Sequence, residues 1–360
     1  MFSPVKSFTV SCKPINAQNT FTSGDSVSGE ITLELTKECK INSLSVKLKG
    51  KAEVKWTEGA PQYGSRTYHA KDKYFSTDKF IIESSDKDSG VIAPGLHTYP
   101  FTFQIPDRNL PSSFDFGFGC YGKILYTLQA RLSRPMRPDN KATAKLNFVS
   151  TNLDSKLLMV PQHETKDKKM KFFSSGTITM DVNIERMGYY QGEGVEIVSY
   201  IQNKSSREIK PKYLIYRKHS FFAEGKRKVH TRNLLKEVGE PVPPSTSQTV
   251  AKIITIPPDT PMSILNCNII KSEYRLRVYL DVKLDTNPEI KFPLVILPAA
   301  ENPSVQQPLH QSGFGCAISE DQPGWSSTSQ YSAASESSAP PPPYGQYAMY
   351  PSLPSFGEKS

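Results

Sequence analysis

Apolar and polar residues alternate with a period of two along most of the first 300 positions, the signature of half-buried strands. "SVSGEITLEL" (Ser26–Leu35) puts Val27, Ile31, Leu33 and Leu35 on one face. "INSLSVKLKGKAEVKW" does the same with Leu44, Val46, Leu48, Val54 and Trp56, and "GKILYTLQARL" with Ile124, Tyr126, Leu128, Ala130 and Leu132. Further strands are predicted at Thr98–Ile105, Ala142–Val149, Ile178–Ile184, Val195–Gln202, Thr249–Ile256 and Glu273–Leu284. No long stretch carries an i, i+3, i+4, i+7 stripe. One short amphipathic helix is allowed in the middle of the first half, at no assignable position. Many short strands broken by Gly, Pro and Asn predict an all-β chain built of sandwiches.

The two halves repeat each other in order. "FTSGDSVSGEI" from Phe21 parallels "YYQGEGVEIVS" from Tyr189, with Gly24 and Gly192 placed to make the turn. "IPDRNLPSSF" from Ile105 parallels "IPPDTPMSIL" from Ile256, and "YTLQARL" from Tyr126 parallels "YRLRVYL" from Tyr274. Two tandem immunoglobulin-like sandwiches follow from this, one over 1–157 and one over 173–300. A solvated linker is expected at 158–172, where "LMVPQHETKDKKMKFF" combines a proline with a lysine run. Residues 301–360 hold 13 serines, few aliphatics and no alternation. Such a segment buries too little apolar surface to offset its ordering entropy, and a disordered tail is expected.

Charge sharpens the division. The formal net charge is +9, yet residues 301–360 carry one basic residue, Lys359, against five acids, so the body holds +13. A basic body is drawn to acidic peptides, anionic lipid or nucleic acid. Two runs stand out, "KDKKMK" with Lys168 and Lys169, and "GKRKVHTR" with Lys226, Arg227 and Lys228. They suit acidic receptor tails or lipid head groups, or more plainly a solvated linker and an exposed hairpin. No recognition helix or stacking aromatic motif accompanies them, so nucleic acid is not expected as a partner.

The five cysteines are odd in number and scattered, with no CxxC pair or zinc spacing, so no metal is expected and a reducing compartment fits. No signal peptide is read at "MFSPVKSFTV", and "FPLVILPAA" from Phe292 is too short to span a bilayer. "GFGCYG" (Gly117–Gly122) fits the dinucleotide fingerprint G-x-G-x-x-G, but the following "KILYTLQARL" alternates as a strand where a helix is required. A sharp turn between strands is expected instead. The six histidines lie far apart in sequence, and neither G-x-S-x-G nor H-E-x-x-H occurs. No enzyme and no cofactor are expected.

Near the end, "PPPY" (Pro341, Pro342, Pro343, Tyr344) fits Pro-Pro-x-Tyr, the ligand of WW domains. A polyproline II segment is already extended, so docking in an aromatic groove orders little chain. Pro341 and Pro342 are expected between groove aromatics and Tyr344 in an adjoining pocket, with Pro343 keeping the segment stiff. "YPSL" fits an endocytic Y-x-x-φ signal through Tyr350 and Leu353, a pattern that chance often supplies.

Two sandwiches, the "IPDRNLPSSF" loop leading into "GKILYTLQARL", the stretch "LKGKAEVKW" and the tail "PPPY" together resemble the arrestin superfamily, and within it the alpha-arrestins. Two departures are evident: the tail holds one such tyrosine motif where two are common, and "DFGFGCYGK" replaces a shorter glycine turn. The buried charged latch of visual-type arrestins has no match here. The resemblance implies an adaptor that links cytosolic regions of membrane receptors or transporters to WW-domain HECT ubiquitin ligases. Cargo ubiquitination, endocytic trafficking and degradation would follow. It also implies a cytoplasmic protein, peripheral at the plasma membrane and endosomes. The alternative is an endosomal sorting scaffold of the retromer-subunit type, which acts without a ligase.

Overall fold

The computed structural model describes residues 3–60, 64–83, 90–151, 155–170, 176–282 and 285–298. The first half forms β1 (Val5–Cys12), β2 (Thr20–Phe21), β3 (Ser26–Leu35), β4 (Cys39–Ile41), β5 (Ser43–Ala60), β6 (Gly64–Glu83), β7 (Gly90–Ile92), β8 (Gly95–Gln104), β9 (Phe114–Gly117), β10 (Tyr121–Arg134) and β11 (Arg137–Phe148). A sheet in the order β1-β3-β8 faces a larger one in the order β2-β11-β10-β5-β6, with β9 added beside β10 and a small β4-β7 pair at the side. The even-numbered residues of β5 and β10 and the odd-numbered ones of β3 point inward, and their aliphatic side chains are wholly buried.

After α1 (Ser155–Leu158) the second half forms β12 (Gln162–Lys169), β13 (Gly176–Ile184), β14 (Gly188–Tyr190), β15 (Gly194–Ser205), β16 (Lys210–Ala223), β17 (Lys226–Val238), β18 (Thr246–Thr255), β19 (Ile270–Asp281) and β20 (Glu289–Leu297). Sheets β12-β13-β15-β18 and β14-β20-β19-β16-β17 enclose the second core. The expected all-β sandwich pair is present. Among the described residues the one helix is the four-residue α1, which lies at the end of the first sandwich and not midway along it.

One expectation needs correction, and one long strand was not expected. Much of the region expected as linker is β12, paired in register with β13 from Gln162↔Ile184 to Lys169↔Thr177. Its sequence, QHETKDKK, lacks an apolar face because an edge strand exposed over most of its length is held by backbone hydrogen bonds. The long β6 was also unforeseen. It lines the edge of β5 and is mostly exposed, so its residues hardly alternate.

The sequence repeat is a structural repeat down to single hydrogen bonds. Phe21 and Tyr189 are both buried, in two short strands that pair in parallel with β11 and β20. The Thr22 amide donates to the Asp25 carboxylate at 2.6 Å, and the Tyr190 amide to that of Glu193 at 2.7 Å. Between them Gly24 and Gly192 take φ of +81° and +82°, a left-handed turn that suits glycine. The Tyr126 hydroxyl donates to the Pro111 carbonyl at 2.7 Å, and the Tyr274 hydroxyl to that of Pro261 at 2.5 Å. Ser113 and Ser263 then pin each loop, their hydroxyls each accepting at 2.9 Å from the amides of Phe148 and Ile296. Each tyrosine ties a loop to the sandwich below it. Tyr126→Phe and Tyr274→Phe are each expected to cost about 1–2 kcal/mol in chemical denaturation, since a carbonyl loses its partner.

Candidate interaction surface

The described residues up to Pro298 belong to one compact unit, and the reason is a single strand. The odd residues of β16 all face one way. Tyr213 and Ile215 lie in the second core, Arg217 and His219 come next, and Phe221 and Ala223 are buried in the first core. Ile264, Cys267 and Ile270 from the second half join them there. Phe221 packs on Phe116 with ring centroids 5.2 Å apart, and it sits where Gly122 has no side chain. A Cβ on Gly122 would come within 2.3 Å of the Phe221 ring.

Polar ties surround this plug. The Tyr74 hydroxyl donates to the Cys267 sulfur at 3.3 Å, Arg66 pairs with Glu224 at 3.1 Å, and Lys228 pairs with Glu58 at 3.5 Å. Asn268 donates to Asp72 at 3.0 Å, and Asn266 to Asn109 at 2.6 Å. Exposed ion pairs contribute about 0–1 kcal/mol each, whereas a fully buried Phe or Ile contributes about 1.5–3 kcal/mol. The apolar plug therefore dominates the seam between the sandwiches.

His219 lies beside that plug, 2% exposed, against the rings of Phe114 and Phe116 at 5.2 and 5.1 Å. Burial pushes it down to about 3, with Arg217 and His230 adding in the same direction. His230 is its direct partner across β16 and β17 and is also lowered, by burial and then by Lys228. Eleven positions separate the two histidines in sequence, and only the β16–β17 register brings them together. The "GFGCYG" segment forms the tip of the β9–β10 hairpin, with a strand after it as expected.

The basic residues singled out from sequence divide by their surroundings. Lys168 pairs with Asp285 at 2.8 Å, the two side chains 14% and 2% exposed, so it ties β12 to the β19–β20 connection and is not open to an acidic partner. Lys169 is exposed. Lys226 and Arg227 are exposed, Arg227 lying over the Phe222 ring, whereas Lys228 is part of the seam.

A further basic face was missed. Lys47, Lys49 and Lys51 alternate on the outward side of β5, beside Lys71 of β6 and Lys141 of β11. Burial and these four neighbours all push Lys49 below its usual value, Lys51 and Lys47 being the strongest of the four. Asp78 and Glu53 offset only Lys47 and Lys51. The odd-position lysines of "SVKLKGKAEVKW" were the available signal. Pro341, Pro342, Pro343, Tyr344, Tyr350 and Leu353 lie outside the described residues. No helix among those described is long and apolar enough to cross a membrane.

Residues 8–156 match the family "Arrestin (or S-antigen), N-terminal domain", and residues 174–300 match "Arrestin (or S-antigen), C-terminal domain". Similar proteins include arrestin domain-containing protein 4 of Mus musculus and of Homo sapiens. Each is 32% identical over 286 residues, covering 77% of this chain and 68% of the relative. Thioredoxin-interacting protein of Rattus norvegicus is 28% identical over 306 residues, covering 82% and 75%. A pair of sandwiches joined by one shared strand, matched along both halves, places this chain in the arrestin family, in its alpha-arrestin branch of adaptor-type proteins.

Proposed function

We propose that this chain is an adaptor between membrane-protein cargo and a WW-domain HECT ubiquitin ligase. The observation that carries the reading is "PPPY" at 341–344, placed behind two arrestin domains. Pro341, Pro342 and Tyr344 contact the WW groove, and Pro343 keeps the segment extended. The sandwich pair holds cytosolic parts of a receptor or transporter, with Lys169, Lys226 and the Lys47–Lys49–Lys51 face offered to acidic groups on cargo or lipid, while Arg227 is already paired with Glu273. Tyr350 and Leu353 act as an endocytic signal in the same tail. The protein works in the cytoplasm, peripherally at the plasma membrane and endosomes, and performs no chemistry itself.

Linkage supplies the mechanism. About 40 residues separate the second sandwich from the motif, a span of roughly 35 Å for a coil. Two weak contacts joined at that reach raise the ligase's concentration at its target. Tyr344→Ala is expected to abolish pull-down of a WW-bearing ligase, and deletion of 340–347 to remove ubiquitin from bound cargo. Undiminished ligase binding by Tyr344→Ala sinks the reading. Cargo sorting that survives the deletion would point to the scaffold that acts without a ligase.

A further inference from the structure

The outer end of the seam holds a cavity of about 390 Å³ that the adaptor reading does not use. Phe116 and Phe118 of the β9–β10 hairpin form one side, and Arg217, His219, His230 and Arg232 of β16 and β17 form the other. The volume lies within the range of small-molecule sites. Phe118 sits on the hairpin tip with 75% of its surface exposed, an apolar ring set at the mouth of a cationic pocket.

The polar side is left incomplete by the protein. One ring nitrogen of His219 and one of His230 are buried without a hydrogen-bond partner, as is the Nε of Arg217. Arg217 reaches the Tyr274 hydroxyl. Among the described residues no carboxylate forms an ion pair with Arg217 or Arg232, and none lines the cavity. The nearby acids are engaged elsewhere, Glu273 with Lys218 and Arg227 and Glu58 with Lys228. Two guanidinium groups beside two histidines, with no acid facing them, favour an anion. Two phenyl rings favour an apolar body attached to it.

We propose that this cavity binds a small organic carboxylate, its head held by Arg217 and Arg232 and its apolar body set against Phe116 and Phe118. A ligand there touches both sandwiches at once. It therefore stabilises the closed seam by mass action, in addition to whatever the tail recruits.

The test uses the full chain in isothermal titration calorimetry at neutral pH, with 4-phenylbutyrate and octanoate as probes. The neutral amide 4-phenylbutyramide and inorganic phosphate are the controls. At least one carboxylate is expected to saturate one site with a dissociation constant below about 1 mM, and to raise the melting temperature. The amide is expected to bind at least about tenfold weaker, a loss of about 1.4 kcal/mol. Arg217→Gln with Arg232→Gln, and separately Phe118→Ala, should each weaken binding by about tenfold or more. Melting without ligand checks that each variant folds, and Phe118 is exposed enough for its replacement to leave the fold intact. Ring resonances of His219 and His230 should shift on titration. Failure of both carboxylates to saturate, equal binding of amide and acid, equal binding of phosphate, or affinity indifferent to both variants overturns the proposal.

Discussion

Phe221→Ala is expected to destabilise the protein by about 3–5 kcal/mol, the range for emptying a buried phenyl site. The residue is wholly buried, yet it comes from the second half of the chain and fills the core of the first. Its loss should therefore do more than lower one melting transition. It should let the sandwiches unfold as separate units, visible as two transitions in calorimetry where the parent protein gives one. Gly122→Val probes the same contact from the other side, because its Cβ would meet the Phe221 ring at 2.3 Å. Overpacking of this kind costs about 1–3 kcal/mol or more. Combining Gly122→Ala with Phe221→Leu should recover part of the loss of either change, since neighbouring substitutions couple. Strict additivity of the two would show that they do not meet.

Acid is expected to weaken the fold through His219. The folded chain keeps this ring neutral because burial pushes it down to about 3, whereas the unfolded chain takes up the proton near 6.5. Its contribution is present in full above pH 6.5 and is lost as the pH falls toward 3. Between pH 7.5 and 5.5 the loss is about 1.4 kcal/mol, close to a tenfold change in the folding equilibrium. The charged groups facing the ring are Arg217 on its own strand and His230 across from it, with Lys228 beside His230, and all are basic. None of them would compensate the new charge. The Phe114 and Phe116 rings on the other side offer none. Urea denaturation at the two pH values measures the effect, and His219→Phe should remove most of the slope. A His219→Phe protein with the parent's slope would assign the acid sensitivity to other groups.

Strands with one wet and one dry face were legible because alternation is enforced wherever a core lies on one side. β3 runs over the residues predicted for it, β10, β13 and β15 enclose theirs, and β5 takes up its stretch from Ser43 onward, Ile41 belonging to β4. β6 and β12 were not legible, since an edge strand held mainly by backbone bonds buries few side chains and so shows only a broken alternation. β16 and β17 were obscured for a different reason. The inward face of β16 passes from one core through a polar seam into another, so its residues read Tyr, Ile, Arg, His, Phe, Ala and never settle into apolar alternation. The tail pattern "PPPY" was visible because a short linear motif is defined by consecutive residues, and its role stays with the proposal above.

By itself, then, the order of residues determined two similar sandwiches in tandem, with the Pro-Pro-x-Tyr pattern behind them on which the proposed ligase contact rests. Repeated turns, tyrosines and alternation are local, and each is set by neighbours within a few positions. Tertiary structure alone decided that the sandwiches share one strand, and that Lys168 is a tie instead of a contact. It also decided that His219 and His230 meet against phenyl rings beside two arginines without an acid partner among the described residues. Those facts join residues up to roughly two hundred positions apart, as Tyr74 and Cys267 do. Such pairings depend on how the sheets stack, which no local pattern records.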